Sequence, residues 1–341
     1  MTDLVTIKDQ TYAQLHALAA GADPGAAYHP DAHWWGCHPF NEKKGLDEIR
    51  GVWRTLRAAL PDVERRDSIF VAGSSAPDSR SAPDLAGRTL VASMGHYQGT
   101  FENDFLGIPA TKGVVHVRSC EVHHVRGSKI AHSYVLFDVL DLMRQAGVWP
   151  IAPSLGAEGM WLEPATSDGV RLGDHDAARG AESLDIVLAM HAALGTFDGR
   201  SVTSMRHGQY WSDRFMWYGP AGIGTTRGMR GFRAHHQVPF LIGFPDRKGA
   251  GHYVRIADGD YVVTGGWPSV VGTHRGEWLG LPGTGRRIEM RVMDFYRLEG
   301  GKIVENWVPI DIVHMLLQMG VDVLARLKHL RGEPRLDLVE S

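Results

Sequence analysis

Cysteine is nearly absent. Cys37 and Cys120 are the only two in 341 residues, too few for a disulfide framework and without the CxxC spacing of a redox or zinc site. No basic run stands out and the formal net charge is -3, so phosphate has no general attraction to the chain and a nucleic-acid partner is not expected. No stretch approaches the roughly eighteen apolar residues of a membrane helix. The opening stretch, MTDLVTIKDQTYAQLHALAAG, sets Asp3, Lys8 and Asp9 in its first turns and lacks the basic start and unbroken apolar core of an export signal. The expectation is a cytoplasmic chain with reduced thiols and no membrane partner. HExxH, GxGxxG and the GK[ST] ending of a phosphate loop are missing too. The adjacent histidines at 123–124 and 235–236, taken as strand residues, point to opposite faces and make no natural chelate. No metal and no cofactor is expected.

What the chain does have is length beyond one ordinary core and a repeat. KIAHSYVLFDVLDLMRQAG (129–147) returns as KIVENWVPIDIVHMLLQMG (302–320), an offset of 173 that aligns Lys129 with Lys302, Asp138 with Asp311, Gln145 with Gln318 and Gly147 with Gly320. The same offset pairs Arg118 with Arg291, Glu121 with Asp294, GIPATKG (107–113) with GLPGTGR (280–286), and Gly99-Thr100 with Gly272-Thr273. Further upstream, after changes in loop length, HWWG (33–36) matches MWYG (216–219), and KGLDEI (44–49) matches RGMRGF (227–232). Order is kept throughout, which makes this a duplicated domain. The boundaries read as 1–152 for the first copy, 181–331 for the second, a Gly/Pro/Ser/Asp-rich linker at 153–180 that packs back through Met160, Trp161 and Leu162, and a tail at 332–341.

Each copy opens with a helix (about 8–20 and 181–195), passes a short aromatic segment, and continues with a second helix, marked in the first copy by Leu46, Ile49, Trp53, Leu56 and Leu60 at helical spacing. Strands with β-branched starts follow. The last two form a hairpin across a glycine turn and lead into a terminal helix. Helices first and antiparallel strands after is an α+β plan, not alternating βαβ.

The G-[IL]-P-x-T-[GK] loop, the GS-K-I or GG-K-I turn and the D-[IV]-[LV]-x-[LM]-[LM]-x-Q-x-G ending resemble SnoaL-like polyketide cyclases, of the nuclear transport factor 2-like superfamily. The resemblance covers most of both copies. It implies two tandem cone-shaped α+β barrel domains, each a curved, mostly antiparallel sheet wrapped around helices. It also implies that the aspartate of the last motif is a general acid/base, which falls on Asp138 and Asp311. Related cone folds include isomerases, dehydratases, hydrolases and binding proteins, and fold alone does not choose among them.

A carboxyl at the lining of an apolar cone is desolvated and raised in pKa, which suits it to taking a proton beside a carbonyl. An aspartate at a strand-to-helix junction is also a natural N-cap, and capping through amide hydrogen bonds lowers the pKa instead. Both readings stay open. By period-two geometry Trp307, Glu305 and Pro309 share a face with Asp311, as Tyr134, His132 and Leu136 do with Asp138, which makes Trp307, Glu305, Tyr134 and His132 candidate pocket residues. Arg118 and Arg291 lie within apolar strands, either to polarise a substrate carbonyl or to pair with Glu121 and Asp294. His96, opposite Ser269, is a candidate second proton-transfer group. Trp217 and Trp267, with Trp34 aligned on Trp217, complete the candidate lining. The aromatics, Phe232 and Phe240 among them, favour the second copy as the binding half. GPAGIGTTRG (219–228) reads as a loop over the cone mouth. The leading expectation is a cofactor-independent enzyme for a small hydrophobic or aromatic carbonyl substrate, using aldol-type, lyase, hydratase or isomerase chemistry. The alternative is a non-catalytic ligand-binding or scaffold protein. Cone domains pair through their sheets, so the chain either meets that pairing internally or forms a homodimer.

Overall fold

The computed structural model describes residues 3–334. Its first half contains α1 (Leu4–Ala19), β1 (Tyr28–Gly36), β2 (Glu42–Lys44), α2 (Gly45–Ala59), β3 (Glu64–Ser74), β4 (Thr89–Thr100), β5 (Val114–Arg126), β6 (Lys129–Phe137) and α3 (Val139–Gln145). The second half contains α4 (Ala177–Leu194), β7 (Trp211–Tyr218), β8 (Thr226–Arg227), α5 (Gly228–Phe232) and α6 (Val238–Gly243), then β9 (Lys248–Gly249), β10 (Val254–Asp258), β11 (Tyr261–Thr273), β12 (Arg287–Glu299), β13 (Lys302–Trp307), α7 (Ile312–Gln318) and α8 (Val323–Leu330). The sheets run β2-β1-β6-β5-β4-β3 and β8-β7-β13-β12-β11-β10, with β9 added on β11. Element for element this is one topology written twice, the expected α+β plan. The pairs β1·β6 and β7·β13 are parallel and the remaining pairs antiparallel.

Helices lie against one face of each sheet. Helix α2 buries Ile49, Val52, Trp53 and Leu56 at helical spacing on β1, and α4 packs on β10 and β11. The opposite faces meet each other. Tyr134 stacks on Tyr253 with ring centroids 3.7 Å apart, and Gly73 in β3 lies where a Cβ would come within 2.9 Å of Ile256 in β10. Two equivalent contacts repeat with the copies exchanged: His38 N donates to Asp311 at 2.8 Å, and Ala221 N donates to Asp138 at 2.9 Å. Reciprocity of this kind is the signature of an isologous interface, here formed within one chain.

Four details depart from the sequence reading. Helix α4 begins at Ala177, inside the stretch expected to be linker. The helix expected to run unbroken from Asp311 is divided into α7 and α8 at Gly320, whose φ of +92° is costly for any residue with a Cβ. His235 and His236 lie in a π-helical turn, Arg233–Gln237, and not on a strand. Met160 and Leu162 are 42% and 56% exposed, so of the three linker residues expected to pack back it is Trp161 that packs, beneath the Arg118 guanidinium. Of the expected tail, 335–341 lie outside the described residues.

Candidate active site

Asp138 and Asp311 sit at the junction between the halves, away from any large hollow. Each caps its helix, accepting from the amide of Asp141 or His314 at 3.1 Å, and each meets its arginine, Arg118 or Arg291, also at 3.1 Å. With the amide from the opposite half, each carboxylate accepts three hydrogen bonds. Burial pushes both groups above the ordinary aspartate value, against the pull of these arginines and amides. The expected lining position is therefore corrected: a capped, ion-paired carboxylate in a packed interface has no substrate-sized space beside it. The hollow nearest Asp138 is about 10 Å³. Asp311→Ala, which removes the cap and leaves Arg291 unpaired, is expected to lower unfolding free energy by about 2–4 kcal/mol in urea titration while leaving ligand affinity in the second half unchanged.

The companion residues follow from the same choice of face. Period two holds along β13, but Asn306, Val308 and Ile310 face the second half's cavity, which places Glu305 and Trp307 on the other side. Glu305 pairs with Arg297 at 2.5 Å, and Trp307 donates its indole N–H to Leu162 O at 2.8 Å. Arg291 reaches Asn41 and lies over Trp267, which also faces Tyr134 across the junction. Arg118 and Arg291 pair with aspartates 138 and 311, not with Glu121 and Asp294. His132 packs among His33, Trp35 and His124, and Trp34 lies in the first half's core against Phe40. His96 lines a separate hollow of about 300 Å³ with His116, Arg118 and Trp161. The 219–228 loop packs on Asp138 and, through Gly224, on Gly156 of the linker, so it is no lid. Of the candidate site residues Trp217 lines the large cavity, and so do Phe232 and Phe240 from the aromatics expected to line the second copy.

That cavity, about 810 Å³, lies in the second half between the sheet, α4 and the helical segment that follows β8. Its inner wall is the alternating set Met290, Val292, Asp294 and Tyr296 of β12; Trp211 and Trp217 of β7 and Phe232 face it. The π-helical turn, a local irregularity common at functional sites, stacks His236 on Trp217 with centroids 4.0 Å apart and brings Gln237 to 3.1 Å from His207. Asp78, Ser79 and Arg80 from the loop between β3 and β4 form part of the wall. Asp78 ties that loop down by accepting from His252 N at 2.9 Å and Arg255 at 2.7 Å. One half thus supplies part of the other's cavity.

Asp294 is the carboxylate on the inner wall. Protein encloses it, and the surface it still exposes looks into the hollow. Burial pushes it up to about 7, opposed by the Tyr296 and Asn306 side chains. No cation pairs with it among the described residues. Tyr296 lies 2.9 Å from His191 Nε2, and His191 faces His252 at 5.4 Å between centroids. Burial keeps the surrounding imidazoles neutral, at about 3 for His191 and His236 and about 4 for His207 and His252. A proton acceptor near neutrality thus sits beside neutral donors in a chamber walled in part by Trp211, Trp217 and Phe232. Among the described residues no group of three or more His, Cys, Asp or Glu is arranged to hold a metal ion.

The equivalent position in the first half has the opposite electrostatics. Glu121 accepts from Arg65 at 2.9 Å, Tyr97 at 2.8 Å, Ser119 at 2.6 Å and His123 at 3.0 Å. Despite its burial, the Arg65 charge and these hydrogen bonds hold Glu121 well below the usual carboxylate range. Arg65 packs over the Tyr97 ring, which in turn meets Trp53 and Phe137, so side chains fill the surroundings of Glu121.

The SnoaL-like polyketide cyclase family matches residues 85–146 and 192–319, together more than half of the chain and falling in both copies. The chain belongs to that family. Solved structures similar to it include IdmH, a polyketide cyclase candidate from Streptomyces antibioticus, 20% identical, covering 41% of this chain and 99% of its own, at a TM-score of 0.34. TsrD from Streptomyces laurentii is 17% identical over 43% of this chain and 99% of its own, at 0.32. A nuclear transport factor 2-like protein from Burkholderia xenovorans is 18% identical over 41% and 97%, at 0.30. No curated protein matches the chain.

Proposed function

We propose that the second half of this SnoaL-like chain is an acid/base enzyme for a hydrophobic carbonyl compound, with Asp294 as the proton-transfer group. The observation that carries this is an unpaired carboxyl, pushed up to about 7, on the wall of a cavity of about 810 Å³ lined by Trp211, Trp217 and Phe232. The volume falls in the usual range for small-molecule sites. In the forward direction Asp294 takes a proton from the carbon beside the carbonyl. With His191 Nε2–H donating to the Tyr296 hydroxyl, the tyrosine O–H is free to stabilise the enolate oxygen as a neutral donor. The carbanion then adds to a second carbonyl, and the protonated Asp294 returns its proton to the new alkoxide, which completes an aldol ring closure. Without the addition, return of the proton to a different carbon of the conjugated enolate is an isomerisation.

The first step is testable without the natural substrate. In D₂O, 1-tetralone incubated with the enzyme should exchange its C2 protons faster than in buffer, with a rate that rises through about pH 7 as Asp294 ionises; proton NMR reads the loss of signal. Exchange no faster than in buffer, from pH 6 to 9, would refute the assignment.

A further inference from the structure

Arg247 lines the same cavity, held between two aromatic rings, with its guanidinium 5.3 Å from the Phe197 centroid and 5.9 Å from that of Phe240. Both rings line the cavity with it. Arginines elsewhere in the interior meet carboxylates: Arg65 meets Glu121, Arg118 meets Asp138 and Arg297 meets Glu305. The other guanidiniums of this cavity, Arg80 and Arg255, are both committed to Asp78, at 2.9 and 2.7 Å. Arg247 makes no ion pair among the described residues. Its neighbour Asp246 is occupied elsewhere, accepting from Thr273 N at 2.8 Å and facing Arg275 at 3.5 Å. Lys248 adds a second positive charge beside it on the wall. Burial lowers the Arg247 pKa, with no carboxylate to oppose the change.

A half-buried guanidinium costs free energy unless an acceptor meets it. Here two rings hold the guanidinium by cation–π attraction before a partner arrives, which lowers the ordering cost of binding one. The planar fork matches a carboxylate through two parallel hydrogen bonds. We propose that Arg247 seats a carboxylate of the substrate, so that this cavity prefers a hydrophobic keto acid to a neutral ketone, which it still takes more weakly: the acid group at Arg247, the rings among Trp217, Phe232 and Phe240, the reacting carbonyl toward Asp294. The inference rests on the cavity being the substrate site.

The test is calorimetric titration of the full chain with 2-naphthoate and its uncharged counterpart 2-naphthamide. The wild-type protein is expected to bind the acid about 10- to 100-fold more tightly than the amide, the range of a charge-assisted hydrogen bond. Arg247→Met should reduce acid affinity to that of the amide and leave amide affinity unchanged, which also shows that the cavity is intact. Arg247→Lys should keep part of the preference. Equal affinity of the wild-type protein for both probes, or an equal loss of both in Arg247→Met, overturns the carboxylate seat while leaving the cavity as a ligand site. Binding of neither probe removes the cavity reading and this inference with it.

Discussion

Asp294→Asn is expected to slow C2 exchange of 1-tetralone by about 10²- to 10⁴-fold, the usual contribution of a placed acid/base group, and at pH 8 to raise thermal stability. The two effects have one cause. In the unfolded chain the carboxyl ionises near 4, whereas in the cavity it does so at about 7. Between those values the folded state holds a proton that the unfolded state has released, so stability falls as pH rises from about 4 to 7 and levels off above that range. The total cost of ionisation is on the order of 4 kcal/mol by linkage. Asparagine keeps the shape, carries no charge and removes that slope. Melting curves from pH 4 to 9 should therefore show the variant tracking the wild type at the acid end and exceeding it at the alkaline end. A carboxylate kept for structure would behave in reverse, with asparagine lowering Tm at pH 8 and leaving exchange alone. Wild-type exchange rates in Asp294→Asn would remove Asp294 from the mechanism.

The scaffold was largely legible in the sequence because duplication constrains many residues at once. The aligned endings at 138–147 and 311–320, the paired Arg118 and Arg291, and the hairpins before them are the same elements in the same sheet order. The site was legible only in part. Strand alternation identifies two faces but not which one turns inward, and one residue of parity separates Trp307, and Asp311 beyond the end of β13, from Asn306 and Val308, which face the cavity. The pairing that held the answer was the alignment of Glu121 with Asp294. It reads as an arginine partner in both copies unless one knows that Arg65 meets Glu121 in the first half, whereas among the described residues no cation meets Asp294 in the second. His191, His207, His236 and His252 come from a helix, a 3₁₀ turn, a π turn and a loop, so no spacing in the sequence groups them. That Asp78 and Arg80 from one copy wall the cavity of the other depends on how the halves dock, a long-range relation that local patterns do not carry.

Arg65→Met should have the largest effect on stability, a loss of about 3–5 kcal/mol in urea unfolding, because it leaves two buried carboxylates without their cation. Arg65 meets Asp67 and Glu121 at 2.9 Å each and Ser93 at 2.6 Å, and all of these side chains are nearly inaccessible to water. The carboxylates do not suffer equally. Asp67 keeps His16, whose side chain partly reaches water, at 2.9 Å, whereas Glu121 keeps His123, Tyr97 and Ser119, all enclosed by protein. Adding Glu121→Met to Arg65→Met should therefore recover part of the loss, since an apolar replacement of a buried pair is commonly neutral or better, and the non-additivity measures the coupling between the two residues. Through all of this, exchange of 1-tetralone per folded molecule should stay at the wild-type value. A copy whose carboxylate is neutralised by a built-in guanidinium has no free acceptor for a substrate proton, so disturbing it changes how well the molecule holds together and not what the other copy does. If exchange instead fell in step with the loss of the Arg65 pair, while the protein remained folded, the first half would have to be counted as part of the catalytic apparatus.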